Sequence, residues 1–309
     1  MLYFFKLIRF KNLIMIALVQ YLIKYALLLP FTQTHGVVTT LSHFNFFLLV
    51  LATVCIAAGG YIINDIQDIE SDSINKPHKL IINKHINENI ATALFVILNI
   101  IGVGLGYYIA SHIGKSNLFP IFFVASALLY MYSTFLKHIV LVGNIIVALV
   151  VSLSILLVGI FELLPVMTVD NRPIQILFFS IIRDYAIFAF IINLIREMVK
   201  DIEDIDGDYK AGTKSLPVIA GRARATKISF ILSLIPLFTV TYYVITYLFK
   251  QIAVVGYFLI LVIAPLIYIS IKLFSATQKS DYKHISLILK LVMLTGILSI
   301  TLYNFILLK

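Results

Sequence analysis

Residues 64–72 read NDIQDIESD (Asn64 to Asp72), directly after the apolar run FFLLVLATVCIAAGGYII that ends at Ile63. Carboxylates at the mouth of a membrane-like segment need a counter-charge. The pattern returns in DIEDIDGD, residues 201–208, where Asp201, Asp204 and Asp208 repeat the spacing of Asp65, Asp68 and Asp72. On a helix with 3.6 residues per turn, offsets of 0, 3 and 7 fall at about 0°, 300° and 340°. Each trio therefore shares one face if the apolar helix before it continues into the motif. Asn64 lies at the edge of the first face and Glu197 on the second. Glu70, Glu203 and Asp206 point elsewhere, and Gly207 weakens helix continuity at Asp208.

The rest of the chain sets these clusters in a membrane. It has 309 residues, 61% hydrophobic and 13% charged, with a mean hydropathy of +1.02. A soluble domain would carry more charge, so residues 1–309 read as a single polytopic membrane domain. A span needs about 20 mainly apolar residues. Nine stretches qualify: Leu13–Phe31, Asn45–Asn64, Ile90–Ala110, Leu118–Phe135, Ile139–Phe161, Ile176–Ile195, Ile228–Phe249, Ile252–Leu273 and Ile285–Leu307. Arg183 and Asp184 are a candidate outer end for the sixth. The N-terminal run has no small-residue cleavage site and is interrupted by Lys24, so it reads as an uncleaved span. The lone Cys55 sits in an apolar run, which excludes an internal disulfide or a cysteine metal cluster.

Alternating spans sort the loops into two sets. Most of the 24 Lys and Arg residues fall with the N-terminus and the loops after spans two, four, six and eight; only Lys115, Arg172, Lys250 and Lys309 fall in the other set. Lys24, Arg183 and Lys290 lie inside spans. The positive-inside rule places the N-terminus and both Asp motifs on the cytoplasmic side of the cell membrane. The net charge of +9 is then mainly a topology signal, with attraction to anionic lipid second. No basic stripe interleaved with aromatics points to nucleic acid.

Of the 15 acidic residues, all but Glu88, Glu162, Asp170, Asp184 and Asp281 sit in the two clusters. Like charges at helical spacing repel, so each face calls for bound cations. Mg²⁺ takes hard oxygen ligands, uses one or two carboxylates, and completes its shell with water and phosphate oxygens. Two such faces would hold Mg²⁺ around one diphosphate, provided spans two and six meet. Acidic loops capping helix ends are the plainer alternative, but identical spacing in two places on one membrane face argues against it. Lys76, Lys79 and Lys84 follow the first cluster, Arg196 and Lys200 sit in the second, and Lys137 with His138 follows span four. Cations there suit charge developing on a departing diphosphate. Lys84 reads better as an interfacial anchor. The seven histidines show no metal-ligand pairing.

These residues resemble the UbiA-type intramembrane prenyltransferase superfamily. NDIQDIESD matches its NDxxDxxxD motif in full, REMVKDIEDIDGD resembles its second Asp-rich helix end, and YMYSTFLKHIVLVGN resembles its YxYSxxLK stretch followed by Gly-Asn. The resemblance covers nearly the whole chain. It implies an all-α bundle of nine transmembrane helices around a central cavity open to lipid. It also implies Mg²⁺-dependent transfer of a prenyl group from a polyprenyl diphosphate to an acceptor. By the same resemblance Asn64, Asp68 and Asp72 hold one Mg²⁺, with Asp65 in support, and Asp201, Asp204 and Asp208 hold a second. Lys79, Lys137, Arg196 and Lys200 bind diphosphate or an anionic acceptor, Asn144 is a polar lining residue, and Tyr130 lies near the reacting carbon or diphosphate. Where the family has NKPxRP, this chain has NKPHKL, so Lys79 and Leu80 replace Arg-Pro; Lys keeps the charge without the bidentate fork.

The second motif followed by GTKSLP resembles the branch that alkylates geranylgeranylglyceryl phosphate, an ether-lipid precursor, with geranylgeranyl diphosphate as a candidate donor. An aromatic acceptor of the quinone pathways is the alternative. A transporter would place its charges near the midplane, where acids are scarce here, and a scaffold would not need paired Asp faces. CDP-alcohol phosphotransferases also use Asp-rich sites, but their DGxxAR pattern is missing.

Overall fold

The computed structural model describes residues 2–75, 77–78, 80–210 and 212–307. Among these, nine helices are long and apolar enough to cross a membrane. They are α1 (Phe10–Phe31), α2 (His43–Gln67), α3 (Glu88–His112), α4 (Ser116–Thr134), α5 (Val142–Glu162), α6 (Arg172–Lys210), α7 (Arg222–Leu248), α8 (Ile252–Ser275) and α9 (Lys279–Ile306). No named strand occurs among the described residues.

α2 packs against α3 and α4, α4 against α5, and α5 against α6; α6 then meets α7 and α9, and α8 packs between α7 and α9. α1 touches α2, α5 and α9 and so closes the ring. One apolar core gathers Phe31, Phe46, Phe122, Phe161 and Phe178 between α1, α2, α4, α5 and the start of α6. A second, around Ile192, Ile269, Tyr282 and Leu289, holds α6, α8 and α9 together.

α6 is the main departure from the sequence reading. It runs unbroken for 39 residues, about 58 Å at 1.5 Å per residue. Arg183 and Asp184 lie within it as an exposed neighbouring pair, 3.0 Å apart, and do not mark its end. Gly207 does not interrupt it either. The helix passes through the whole second Asp motif and carries it beyond the apolar stretch.

α2 behaves differently. It ends at Gln67, where Asp68 takes a non-helical conformation (φ −98°, ψ 8°) before a short helix Ile69–Asn75. The hydrogen bonds Asp68 N to Asn64 O (2.9 Å) and Asp72 N to Asp68 O (2.8 Å) bridge the break, so the chain keeps its direction. The short helix Ile69–Asn75 packs on α6. That contact brings the second and sixth spans together at one end of the bundle.

The opposite end is closed by a buried ion pair. Lys24 Nζ lies 2.7 Å from Glu162 Oε1, with side chains 1% and 0% exposed. Lys24 also donates to the Leu41 carbonyl (2.6 Å), and Glu162 accepts from Leu41 N (3.0 Å). The loop before α2 is thereby fastened to α1 and α5. A buried charge is tolerable only when paired and hydrogen-bonded in this way.

Candidate active site

A cavity of about 960 Å³ opens inside the ring. Its polar end is lined by Asn64, Asp65, Asp68 and Asp72 from the first motif and by Asp201, Asp204 and Asp208 from the second. Lys137, Asn144, Arg196 and Lys200 line it too. Its other end is apolar, with Ile56, Phe122, Val151, Phe188 and Met293 among the walls. Lys79 lies outside the described residues.

Each side chain has a definite partner. Asn64 Nδ2 donates to Asp68 Oδ2 at 2.6 Å, and Lys137 Nζ donates to Asp68 Oδ1 at 2.5 Å. Asp65 accepts from Arg9 Nη2 at 2.8 Å, while the Arg9 guanidinium lies 4.9 Å from the centre of the Tyr61 ring. On the second motif Asn144 Nδ2 donates to Asp201 Oδ2 at 2.7 Å. Glu197 gathers two cations, Lys200 at 2.7 Å and Arg196 at 3.3 Å. Asp206 is exposed and lies 3.7 Å from Arg222, outside the cavity lining.

The turn between α4 and α5 places Lys137. A single 3₁₀ turn, Leu136–His138, is followed by Leu141 with φ 63°. Gly143 then lets α5 come close beneath the turn. A Cβ added there would stand 2.9 Å from Lys137 Cα and 3.1 Å from the Tyr132 ring, so the Gly-Asn pair after the tyrosine stretch has a steric reason. Burial first, and the Lys137 ammonium second, hold the His138 imidazole below the usual histidine range. It is neutral at pH 7 and adds no charge to the site.

Two sequence expectations need correction or enlargement. Tyr130 is turned away from the cavity; it is 46% exposed and stacks on Phe95 with ring centres 6.1 Å apart. Tyr132 lines the cavity instead. Residues two apart on a helix point about 200° away from one another, so only one tyrosine of the YMYS stretch can face inward. Arg9, counted in the sequence only as a topology charge, is a cavity residue. It adopts a left-handed backbone conformation (φ 50°, ψ 52°) at the start of α1, costly for a side-chain-bearing residue and held here by Asp65 and Tyr61. Burial alone would lower its pKa, but Asp65 and Tyr61 raise it, and the net shift is upward. It is a permanent cation.

The donor set suits a hard cation. Asn64 Oδ1 is buried with no hydrogen-bond partner among the described residues. It is a neutral oxygen beside Asp68, and Asp72 lines the same space. No three carboxylate, histidine or cysteine side chains among the described residues form a closed metal cage. Mg²⁺ does not require one, since it takes few carboxylates and fills its shell with water and phosphate oxygens.

The chain has relatives among known proteins in both sequence and fold. The chain is 38% identical over 196 residues to the digeranylgeranylglyceryl phosphate synthase of Sulfolobus acidocaldarius, a match covering 63% of this chain and 64% of that relative. It thus spans less than two thirds of the length of that relative. With the digeranylgeranylglyceryl phosphate synthase of Methanosphaera stadtmanae it shares 31% identity over 256 residues, 81% of this chain and 86% of the other. The solved structure of a UbiA homologue from Archaeoglobus fulgidus bound to GPP and Mg²⁺ has the same fold. It superposes with a TM-score of 0.59 at 17% identity, covering 97% of this chain and 99% of that one. Residues 26–294 match the UbiA prenyltransferase family, and the chain belongs to that family.

Proposed function

We propose that the protein transfers a prenyl group from a polyprenyl diphosphate, foremost geranylgeranyl diphosphate, to geranylgeranylglyceryl phosphate. One observation carries the reading. Both Asp motifs and Lys137 line a single cavity of about 960 Å³ that also has apolar walls at Ile56, Phe122, Val151, Phe188 and Met293. The similarity to digeranylgeranylglyceryl phosphate synthases supports the acceptor.

In this reading Asn64, Asp68 and Asp72 hold one Mg²⁺ and Asp201, Asp204 and Asp208 a second. When bound, the ions supply Lewis-acid stabilisation of the diphosphate oxygens. Lys137 and Lys200 add their charge to the leaving group, and Lys79 is assigned the same role. Asn144 orients Asp201, and Arg9 fixes Asp65. The apolar wall keeps water from the allylic carbon while its bond to diphosphate breaks with the electron pair leaving on oxygen. The acceptor hydroxyl oxygen forms the new C–O bond, its proton passing to the departing diphosphate. The basic loops put this end of the bundle in the cytoplasm.

The test uses protein purified in detergent with labelled geranylgeranyl diphosphate and two acceptors, geranylgeranylglyceryl phosphate and dihydroxynaphthoate, with and without Mg²⁺. Mg²⁺-dependent transfer to the glyceryl phosphate is expected. Transfer only to the aromatic acid would move the protein to the quinone branch, and no transfer to either would overturn the reading.

A further inference from the structure

Lys24, Arg183 and Lys290 lie within the spans, and the structure treats them differently. Lys24 is neutralised by Glu162, and Arg183 pairs with its neighbour Asp184. Lys290 pairs with no carboxylate among the described residues. Its one hydrogen bond is to a neutral amide oxygen, Asn12 Oδ1, at 2.7 Å. It stands eleven residues into α9, about 16 Å along the helix, and it lines the cavity. A half-buried cation at that depth is costly unless an anion joins it.

Its surroundings make the excess larger. Arg196 and Lys200 share the single carboxylate of Glu197. Arg196 Nε is buried with no hydrogen-bond partner among the described residues. Arg196 and Lys11 both act on Lys290 as like charges, and both line the same cavity. The stretch of wall at the level of Arg196 and Lys290 therefore sets Lys11, Arg196, Lys200 and Lys290 against the one carboxylate of Glu197, the Asp trio of α6 lying further along the helix. It is also distinct from the Asp faces. Arg196 precedes Asp201 by five residues on α6, about 7.5 Å nearer the apolar end. Asn12 holds Lys290 in position and donates in turn to the Tyr61 hydroxyl at 3.3 Å.

We propose that Lys290 and Arg196 form a second anion seat, separate from that of the diphosphate, which takes the phosphate monoester of the acceptor substrate. A phosphate monoester brings close to two negative charges and three acceptor oxygens. That matches one ammonium, one free guanidinium N–H and the cations around them better than a single carboxylate does. The seat explains how one cavity holds two anionic lipids without placing both on the Asp faces. It also gives a physical reason for an acceptor with a charged head beside an apolar chain. This inference rests on the transfer reaction proposed above, and its test is arranged to be separable from it.

Lys290→Met, Lys290→Arg and Asn12→Asp are compared with wild type. Asn12→Asp keeps the lysine and supplies a carboxylate that neutralises it. KM is measured for geranylgeranylglyceryl phosphate and for geranylgeranyl diphosphate. Lys290→Met and Asn12→Asp should each raise the acceptor KM roughly 10- to 100-fold with the donor KM unchanged, and Lys290→Arg should restore most of it. An unchanged acceptor KM in Lys290→Met, or a donor KM that rises with it, would overturn the proposal. If wild type transfers nothing to this acceptor, the reaction proposed above has failed. The seat is then judged by binding, read as the rise in unfolding temperature on adding geranylgeranylglyceryl phosphate. A rise in wild type that Lys290→Met abolishes supports the seat; no rise in wild type, or an equal rise in the variant, rejects it.

Discussion

The two Asp motifs share one spacing but are built on opposite physical plans. The first sits at a break. α2 stops at Gln67, Asp68 leaves the helix, and two of the carboxylates are already held by cations, Asp65 by Arg9 and Asp68 by Lys137. The second rides on an unbroken helix of 39 residues, where Asp201 is held by the neutral amide of Asn144. There the cations Arg196 and Lys200 go to Glu197 instead. Two carboxylates of the first face thus sit on cations, while on the second Asp201 is held by a neutral amide. Identical sequence spacing fixes which residues share a face; the tertiary partners decide the charge that face presents.

The largest effect that bears on this comparison comes from the carboxylates themselves. Asp68→Asn and Asp204→Asn should each lower transfer by about 10³-fold. Raising Mg²⁺ should rescue Asp68→Asn less than Asp204→Asn, because Lys137 is left without its carboxylate only in the former. A steady-state Mg²⁺ titration of both variants checks this, and equal rescue would erase the distinction between the faces.

A smaller effect is expected from the loop that brings the first face its cation. Lys137→Met should cost about 10²-fold in kcat, the loss of one charge-assisted contact to a leaving group. Gly143→Ala should cost about tenfold, because its Cβ would meet Lys137 Cα at 2.9 Å and push the turn away. Both are read from initial rates at saturating donor. If Gly143→Ala matches wild type, the turn is not positioned by that contact.

The smallest effect separates the two tyrosines of the same stretch. Tyr130→Ala should change kcat/KM by less than about twofold, as expected for a surface substitution. Tyr132→Ala should lower it clearly, since that ring lines the cavity. The reverse order would place the site on the outer face of α4.

Much of this was legible in the sequence because apolar period and charge placement are local signals. The nine spans, the shared face of each Asp trio and the grouping of basic loops needed only spacing and composition. The extension of α6 was legible only as a condition on the shared Asp face: Met198, Val199, Ile202 and Ile205 keep helical spacing, but residues 196–210 are mostly charged. Gly207 also argued against it, yet packing on Ile69–Asn75 and on α7 holds the helix together. Tyr130 and Tyr132 could not be ranked without knowing which side of α4 faces inward. Arg9 and Lys290 were visible only as charges, since their partners Asp65 and Asn12 lie 56 and 278 residues away in sequence.

In the proposed reaction both Asp faces act on one diphosphate through Mg²⁺. Calorimetric titration of a non-reactive geranylgeranyl thiodiphosphate into wild type, Asp68→Asn and Asp204→Asn, with and without Mg²⁺, tests it most directly. Wild type should bind only with Mg²⁺, and each single variant should lose roughly tenfold or more in affinity. Binding that is indifferent to Mg²⁺, or that survives unchanged when either face is altered, would contradict it.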